Sequence, residues 1–521
     1  MAKIDSNVTK FSLVAAFGGL VFGLDLLNIS GAMRFISSLF ELDDVQQGRI
    51  IGSTFYGVIV VLFFAGTLCE NFGRKKVLVG IAFAYTLSSL LSAFAVSYEM
   101  LLVGRFIGGA AFASIMVSAM YIGEVAPAEQ RGKFVSVNQL MIAIGIFLTS
   151  VINYFLLKYL ADISFLDNEN VWRYMLGSEL IANFIWIALL LNIPESPRWL
   201  LKKGREDEAR EVFKQIAPAD QVETLMADVK ESFHQETKTD TFTQLKNLFN
   251  KRMTLVLSIA IVYAIVQGGT GMNAIMSFAP MVFEQIGMST EDTFMQTVLV
   301  AVVNLIAVMI AIFTVERLGR RYLTLGGLAL VVVAHGSVWF GFKDTTYQLD
   351  RAAYERIEVQ LKSESINLAP LQTLVGKTFA NDVELKKALA ETINKKDLPL
   401  VSGAIINQTI QGIKPIAVLF GILAFIAAFN LSIGPIMWVI FSEIFPNNVR
   451  SIALPFAALV QTLSSWGVSE LFPWSLSNFG AANVFLMYSM IGLGGLIIMF
   501  FILPETKGKT IEAIEKDLVK G

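Results

Sequence analysis

The chain lacks most of what a soluble enzyme uses. Its 521 residues include one cysteine, Cys69, two histidines, and only 16% charged side chains against 55% hydrophobic ones. A single cysteine excludes an internal disulfide framework and leaves the redox compartment unread. His234 and His335 stand far apart with no cysteine pair near them, so no metal-ligand spacing is present. No Gly-rich nucleotide motif accompanies them. Both histidines therefore read as structural, and neither metal, cofactor nor enzyme activity is expected. A net charge of −2 gives no basis for binding nucleic acid or any other polyanion.

The charged fraction lies well below the roughly 25% of soluble domains, which places the chain in the membrane class. Apolar runs of the ~20 residues needed to cross a bilayer fall near 11–37, 49–69, 77–97, 99–124, 133–158 and 173–193. A second set falls near 252–284, 293–315, 322–342, 413–442, 449–474 and 482–503. The first run is too long for a cleaved signal, whose apolar region is about 7–15 residues, and is expected to remain as a span.

The expected organisation is a six-helix half over 1–197, a cytoplasmic helical linker over 198–251, and a second half over 252–342 and 413–521. An outward-facing insert over 343–412 interrupts that second half. Glu206–Phe213 in the linker is rich in helix formers. Basic residues set the orientation. Arg74, Lys75, Lys76, Arg131, Lys133, Arg317, Arg320, Arg321 and Arg450 fall in one set of connections, and only Arg34, Arg49, Lys158 and Arg173 in the other. Both termini are thus expected in the cytoplasm of a multi-pass cell-membrane protein.

The halves repeat each other. Glu70-Asn-Phe-Gly73-Arg74-Lys75 returns as Glu316-Arg-Leu-Gly319-Arg320-Arg321, and Glu124-Val-Ala-Pro127…Arg131 returns as Glu443-Ile-Phe-Pro446…Arg450. Pro194-Glu195-Ser196 and Pro504-Glu505-Thr506 close the copies. Two like halves around a central path are how alternating-access carriers are built. The first two motifs of the pair lie 54 residues apart in one copy and 127 in the other. The 73 extra residues fit only the polar stretch 343–412, where Asp344–Ser363 and Asn381–Lys396 look helical. Tyr347, Leu349, Ile357, Val359 and Leu361 are spaced there as a packed face.

Asp25 is the sharpest single residue, because a charge at the centre of a span costs about 2.5–3.5 kcal/mol and must face a cavity or a partner. Arg105, in Gly104-Arg105-Phe106-Ile107-Gly108-Gly109, is the expected partner. Such a pair changes its proton affinity if it separates as a carrier opens, although it also reads as a static ion pair. Glu70, Arg74, Glu124, Arg131, Glu316, Arg320, Glu443 and Arg450 are expected to gate, by bridges that form in one conformation. Exposed pairs are each weak, but a network biases a two-state equilibrium.

Neutral amides inside spans, Gln139, Gln267, Asn273, Asn304 and Gln461, suit a hydroxyl-rich ligand, since each offers two donors and an acceptor. Trp438 and Phe278 offer aromatic faces to it. Any one amide alone reads first as glue between helices, and the set carries the ligand reading. Gly268-Gly269-Thr270-Gly271 and Gly434-Pro435 are expected to break the seventh and tenth spans beside the path.

Taken in order, these motifs resemble the sugar porter family of the major facilitator superfamily. The pattern is similar to that of bacterial xylose–proton symporters and mammalian glucose facilitators, and only the insert falls outside it. The supporting residues include Asn138-Gln139-Leu140, Pro194-Glu195-Ser196-Pro197-Arg198, Gly434-Pro435-Ile436-Met437-Trp438, Ser442-Glu443-Ile444-Phe445-Pro446 and Pro504-Glu505-Thr506-Lys507-Gly508. The resemblance implies sugar contacts at Gln139, Gln267, Asn273, Trp438 and Gln461, and a proton site at Asp25 coupled to Arg105. Facilitators usually have Asn where Asp25 stands.

The chain departs from the pattern at Gly268, where relatives often carry a second Gln. Ser277-Phe278 replaces a pair of tyrosines, Thr462 replaces a tryptophan, and Glu70 and Glu316 stand where Asp is usual. The expectation is a carrier that takes up a monosaccharide or polyol with protons, acting as a monomer in the bilayer. The alternatives are a facilitative uniporter, a drug antiporter, which the amides disfavour, and a sugar sensor, which the short tail disfavours.

Overall fold

In the computed structural model, eleven helices among the described residues are long and apolar enough to cross a membrane. The described residues are 6–127, 131–235, 241–288, 290–361, 367–446 and 449–509, with 514, 516 and 518 besides. The last helix holds a 51-residue apolar stretch, Ile452–Ile502, more than twice the ~20 residues that one crossing needs. Gly480, at φ 80° and ψ 160°, interrupts it. It is therefore two spans, and the chain is an all-α protein of twelve.

Spans 1 to 6 are Ser6–Leu39, Asp44–Phe72, Arg74–Ala93, Tyr98–Val125, Arg131–Lys158 and Val171–Leu191. Span 7 begins at Thr254, span 8 is Thr290–Leu318, span 9 is Arg320–Phe342 and span 10 is Pro415–Ile444. Spans 11 and 12 share Arg450–Ile502.

The chain divides into two compact units. One comprises Met1–Leu26, Ser53–Thr149 and Gly177–Lys246, and the other Leu27–Gly52, Ser150–Leu176 and Asn247–Gly521. The cuts fall inside spans 1, 2 and 6 and within span 5, so one end of each of these spans packs in the second unit.

In the first unit the core gathers Val21, Ala82, Tyr85, Val117, Tyr121 and Trp186, all fully buried. The Trp186 Nε1 donates to the Val14 carbonyl at 3.0 Å. Close helix crossings depend on glycine. A Cβ on Gly23 would lie 2.2 Å from the Ile142 carbonyl oxygen, and one on Gly145 the same distance from that of Leu20. The linker helix Glu206–Ile216 has three acids in its first turn and buries Ala209, Val212, Phe213 and Ile216. That 3–4 spacing lays one apolar face on the core.

In the second unit span 7 is broken twice. Its helix Thr254–Gly269 ends before Gly271, which adopts a left-handed φ of 87°, and Met272–Ser277 and Ala279–Glu284 follow. A Cβ on Gly271 would strike the Tyr488 ring at 2.7 Å. Span 10 breaks at Ser432, with φ −137° and ψ −95°, not at the expected Gly434-Pro435. The proline falls in the first turn of the next helix, where a missing N–H costs nothing.

The insert is folded. Strands β1 (Thr346–Gln348), β2 (Thr378–Phe379) and β3 (Ile410–Gln411) form a sheet in the order β2-β1-β3, both pairings antiparallel, which ties its entry to its exit. Its helices are shorter than the sequence suggested, Arg351–Gln360 and Asp382–Thr392, with Leu398–Thr409 as a third. Tyr347, Leu349, Ile357 and Leu361 are buried in its core. Val359 is instead 75% exposed, because the helix that carries Ile357 turns the position two residues on toward solvent.

Candidate functional site

Within the first unit, Arg105 Nη1 donates to Asp25 Oδ1 at 2.6 Å, and both side chains are about 95% buried. Glycine makes the arrangement possible. A Cβ on Gly108 would meet Ser88 Oγ at 2.7 Å and Asp25 Oδ1 at 3.5 Å, and one on Gly104 would meet Ser92 Oγ at 2.6 Å. The Gly-x-x-x-Gly spacing of span 4 thus lets span 3 close in around the pair.

The structure adds a residue that the sequence reading missed. Glu179 of span 6 is 2% exposed, a second buried acid of the same unit. Asn183, one turn on, donates to Glu179 Oε1 at 3.4 Å and to Ser89 Oγ at 3.1 Å. The first unit therefore buries two carboxylates, Asp25 paired with Arg105 and Glu179 bonded to Asn183. A second buried acid this deep in a span is costly unless it is partnered, and Asn183 supplies that partner. Glu179 was legible only as an acid following Gly177-Ser178 inside an apolar run.

The loop motifs assemble into two like nodes. In the first, Arg74 Nη2 pairs with Glu124 Oε1 at 2.7 Å, while Ser196 Oγ donates to the other oxygen of Glu124. Glu195 Oε1 accepts the backbone N–H groups of Arg74, Lys75 and Ser196 at 2.8, 3.0 and 2.8 Å. In the second, Arg320 Nη2 pairs with Glu443 Oε1 at 2.9 Å, and Thr506 Oγ1 donates to Glu443 Oε2 at 2.5 Å. Glu505 accepts the N–H groups of Arg320, Arg321 and Lys507 at 2.9, 3.1 and 2.9 Å.

A carboxylate at a helix N-terminus is the expected partner for free N–H groups and the positive end of the dipole. Gly73 and Gly319, at φ 93° and 88°, admit it, since a Cβ there would lie 2.3 Å from Glu195 or 2.7 Å from Glu505. Of the other expected gating residues, Glu70 meets Lys202 at 3.3 Å in an exposed pair. Arg450 donates to the Phe445 carbonyl from Nη2 at 2.8 Å. The side chains of Arg131 and Glu316, like that of His234, lie outside the described residues.

In the second unit, Gln461 Nε2 donates to Gln267 Oε1 at 2.9 Å and to Ser465 Oγ at 2.9 Å. Spans 7 and 11 touch there, because a Cβ on Gly268 would already lie 2.8 Å from the Ser465 nitrogen. Asn273 follows the Gly271 break and is half-buried. The carbonyl of Thr270 at that break accepts from Nε2 of fully buried His335 at 3.0 Å, which gives this histidine its structural task.

Trp438 is 46% exposed and edge-on to Phe441, which in turn meets Tyr263 of span 7. Asn304 is buried in span 8. Phe278 offers no free face, being 1% exposed and stacked on Phe472 at 5.5 Å. Thr462 turns its hydroxyl back to the Ala458 carbonyl at 2.8 Å. Gln139 is exposed in span 5, within the first unit.

The model of the sugar (and other) transporter family matches residues 11–347 and 400–518. The chain belongs to the sugar porter family of the major facilitator superfamily. It is 29% identical over 514 residues to the arabinose–proton symporter of Bacillus subtilis (strain 168), covering 98% of this chain and 95% of that one. It is 28% identical over 543 residues to the D-xylose–proton symporter of Escherichia coli (strain K12), again covering 98% and 95%. The solved inward-open form of the xylose transporter XylE from E. coli superposes with a TM-score of 0.74 at 26% identity, over 98% of this porter and 100% of that chain. The stretch between the two matched segments, 348–399, is most of the insert, so the family pattern accounts for the twelve spans and not for the cap.

Proposed function

We propose that this sugar porter imports a monosaccharide by proton symport. The observation that carries the reading is the buried Asp25–Arg105 ion pair inside a span, with a second buried acid, Glu179, in the same unit. Amides of the other unit offer hydrogen bonds suited to sugar hydroxyls. A proton taken up by Asp25 weakens its hold on Arg105. The pair separates and re-forms as the binding site changes sides, while the two loop nodes favour one arrangement over the other.

The sugar contacts are Gln139, Gln267, Asn273, Asn304, Trp438 and Gln461, and the carrier works as a monomer in the lipid bilayer. Asn7 donates to the Gln215 carbonyl of the linker at 3.0 Å, and Lys507 of the tail to that of Arg317 at 2.6 Å. These contacts support placing both termini on the face of the loop motifs, which the basic residues make the cytoplasmic one. A uniporter is the second reading, because the Asp25–Arg105 pair is also satisfied as a static ion pair.

The test is uptake into proteoliposomes under an imposed proton gradient, with pentoses, hexoses and inositols in competition. If none of them moves with protons, the proposal fails.

A further inference from the structure

We infer that the insert is a latch on the outer gate, and that Arg34 and Ser38 are positioning residues that hold span 1 to it. This rests on the alternating-access reading above. The end of span 1 in the second unit donates two hydrogen bonds to backbone carbonyls of the insert. Arg34 Nη2 donates to the Leu400 carbonyl at 3.0 Å, and Ser38 Oγ donates to that of Lys396 at 2.8 Å. Arg34 also meets Glu284, at the end of span 7, at 3.3 Å, with both side chains largely buried.

The insert is itself firmly seated. Gly403 of its helix Leu398–Thr409 lies over Glu284, where a Cβ would be 3.3 Å from the carboxyl carbon. Asp382 accepts the Ala481 N–H at 3.2 Å, at the turn between spans 11 and 12. A cap with its own core therefore grips spans 7, 11 and 12 and presents carbonyls to span 1. The site cannot open on this face until Arg34 and Ser38 let go. The exposed contact of Lys396 with Glu169, at 3.9 Å, adds little.

The test uses impermeant maleimide and no sugar, so it does not depend on symport. The reporter is Ser30→Cys in a Cys69→Ser background. Ser30 lies on span 1 between Asp25 and Arg34 and is 4% exposed. In right-side-out vesicles, Arg34→Ala/Ser38→Ala should speed labelling about tenfold, the population shift expected for losing a charged hydrogen bond. Lys396→Ala should leave the rate unchanged, because the contact is to a carbonyl. If the double variant does not fold, as judged by size-exclusion chromatography, Arg34→Gln/Ser38→Ala keeps the bulk and should give the same direction.

Labelling of folded variants at the parent rate would overturn the latch. So would acceleration confined to inverted vesicles, which would put the insert on the cytoplasmic face. Failure of sugar symport in the uptake assay would leave this labelling result standing.

Discussion

Asp25→Asn is the substitution that tests the coupling most directly. Its structural cost is modest. Removing one member of a buried ion pair outright costs about 3–5 kcal/mol, but Asn keeps an oxygen for the Arg105 Nη1 now 2.6 Å from Asp25. Glu179 remains in the same unit as a second buried acid. The loss then approaches the difference between a charged and a neutral hydrogen bond, about 1–2 kcal/mol, and the protein should fold. The functional loss is larger. One proton moving with each sugar down 100 mV supplies about 2.3 kcal/mol, which at about 1.4 kcal/mol per tenfold is roughly fiftyfold accumulation.

Without a titratable group at position 25 that accumulation should fall toward unity, while exchange of labelled for unlabelled sugar continues. The assay is paired: uphill uptake and equilibrium exchange in the same proteoliposomes. If Asp25→Asn still accumulates sugar and Asp25→Asn/Glu179→Gln does too, neither buried acid is the proton site. Loss of accumulation only in the double variant would move the proton to Glu179.

The loop nodes and the amide pair give further expectations. Gly73→Ala and Gly319→Ala force a Cβ into a backbone region essentially reserved for glycine, at about 1–3 kcal/mol each. Gly73→Ala should lower the melting temperature in detergent more, because its Cβ would press closer on the carboxylate, 2.3 Å against 2.7 Å. Glu505 lies past the last span, where partial burial raises its pKa but the N–H groups of Lys507, Arg320, Arg321 and Thr506 outweigh that and hold it below the usual 4.5. Its contribution is therefore complete above pH 4.5 and lost as pH falls through the lower folded value, and Glu505→Gln should flatten that acid limb of the stability profile. Gln461→Ala removes a donor to Gln267 and should raise KM for the transported sugar about two- to tenfold, one neutral hydrogen bond's worth. Combined with Gln267→Ala the effects should add to less than their sum, as measured in a double-mutant cycle.

Periodicity and repeats made the spans legible, because a run of ~20 apolar residues has few other uses. The same repeats located the loop nodes, though with part of their chemistry hidden. Bridges among the eight loop charges were expected without assigned partners, and Arg74 pairs with Glu124. Glu195 and Glu505 were visible only as members of closing motifs, since nothing local says that a carboxylate will cap a helix more than a hundred residues away. Glu179 was missed for a related reason. A lone acid inside an apolar run does not announce its partner, and here it is Asn183, one turn on. The break of span 10 was misplaced by two residues because Gly434-Pro435 carries the breaker chemistry, yet proline is tolerated in a first turn and the helix breaks at Ser432.

The departures from the family pattern have one physical account. Gly268 stands where a second glutamine is frequent, and here spans 7 and 11 approach too closely for any side chain at that position. Closeness is what lets Gln461 reach Gln267 directly. Phe278 is stacked on Phe472 rather than free to swing, so it cannot act as a lid of the kind a tyrosine pair would make. The sites that lost polar groups lie along span 7, and the cap is seated on the end of that same span at Glu284 and Gly287. A carrier whose seventh-span lid is locked in its core needs closure from elsewhere, and the insert supplies it through Arg34 and Ser38. Restoring a mobile lid with Phe278→Tyr/Phe472→Ala should therefore weaken the dependence of outer closure on Arg34. The maleimide rate at Ser30→Cys should then respond less to Arg34→Ala in that background than in the parent, and an undiminished response would separate the two features.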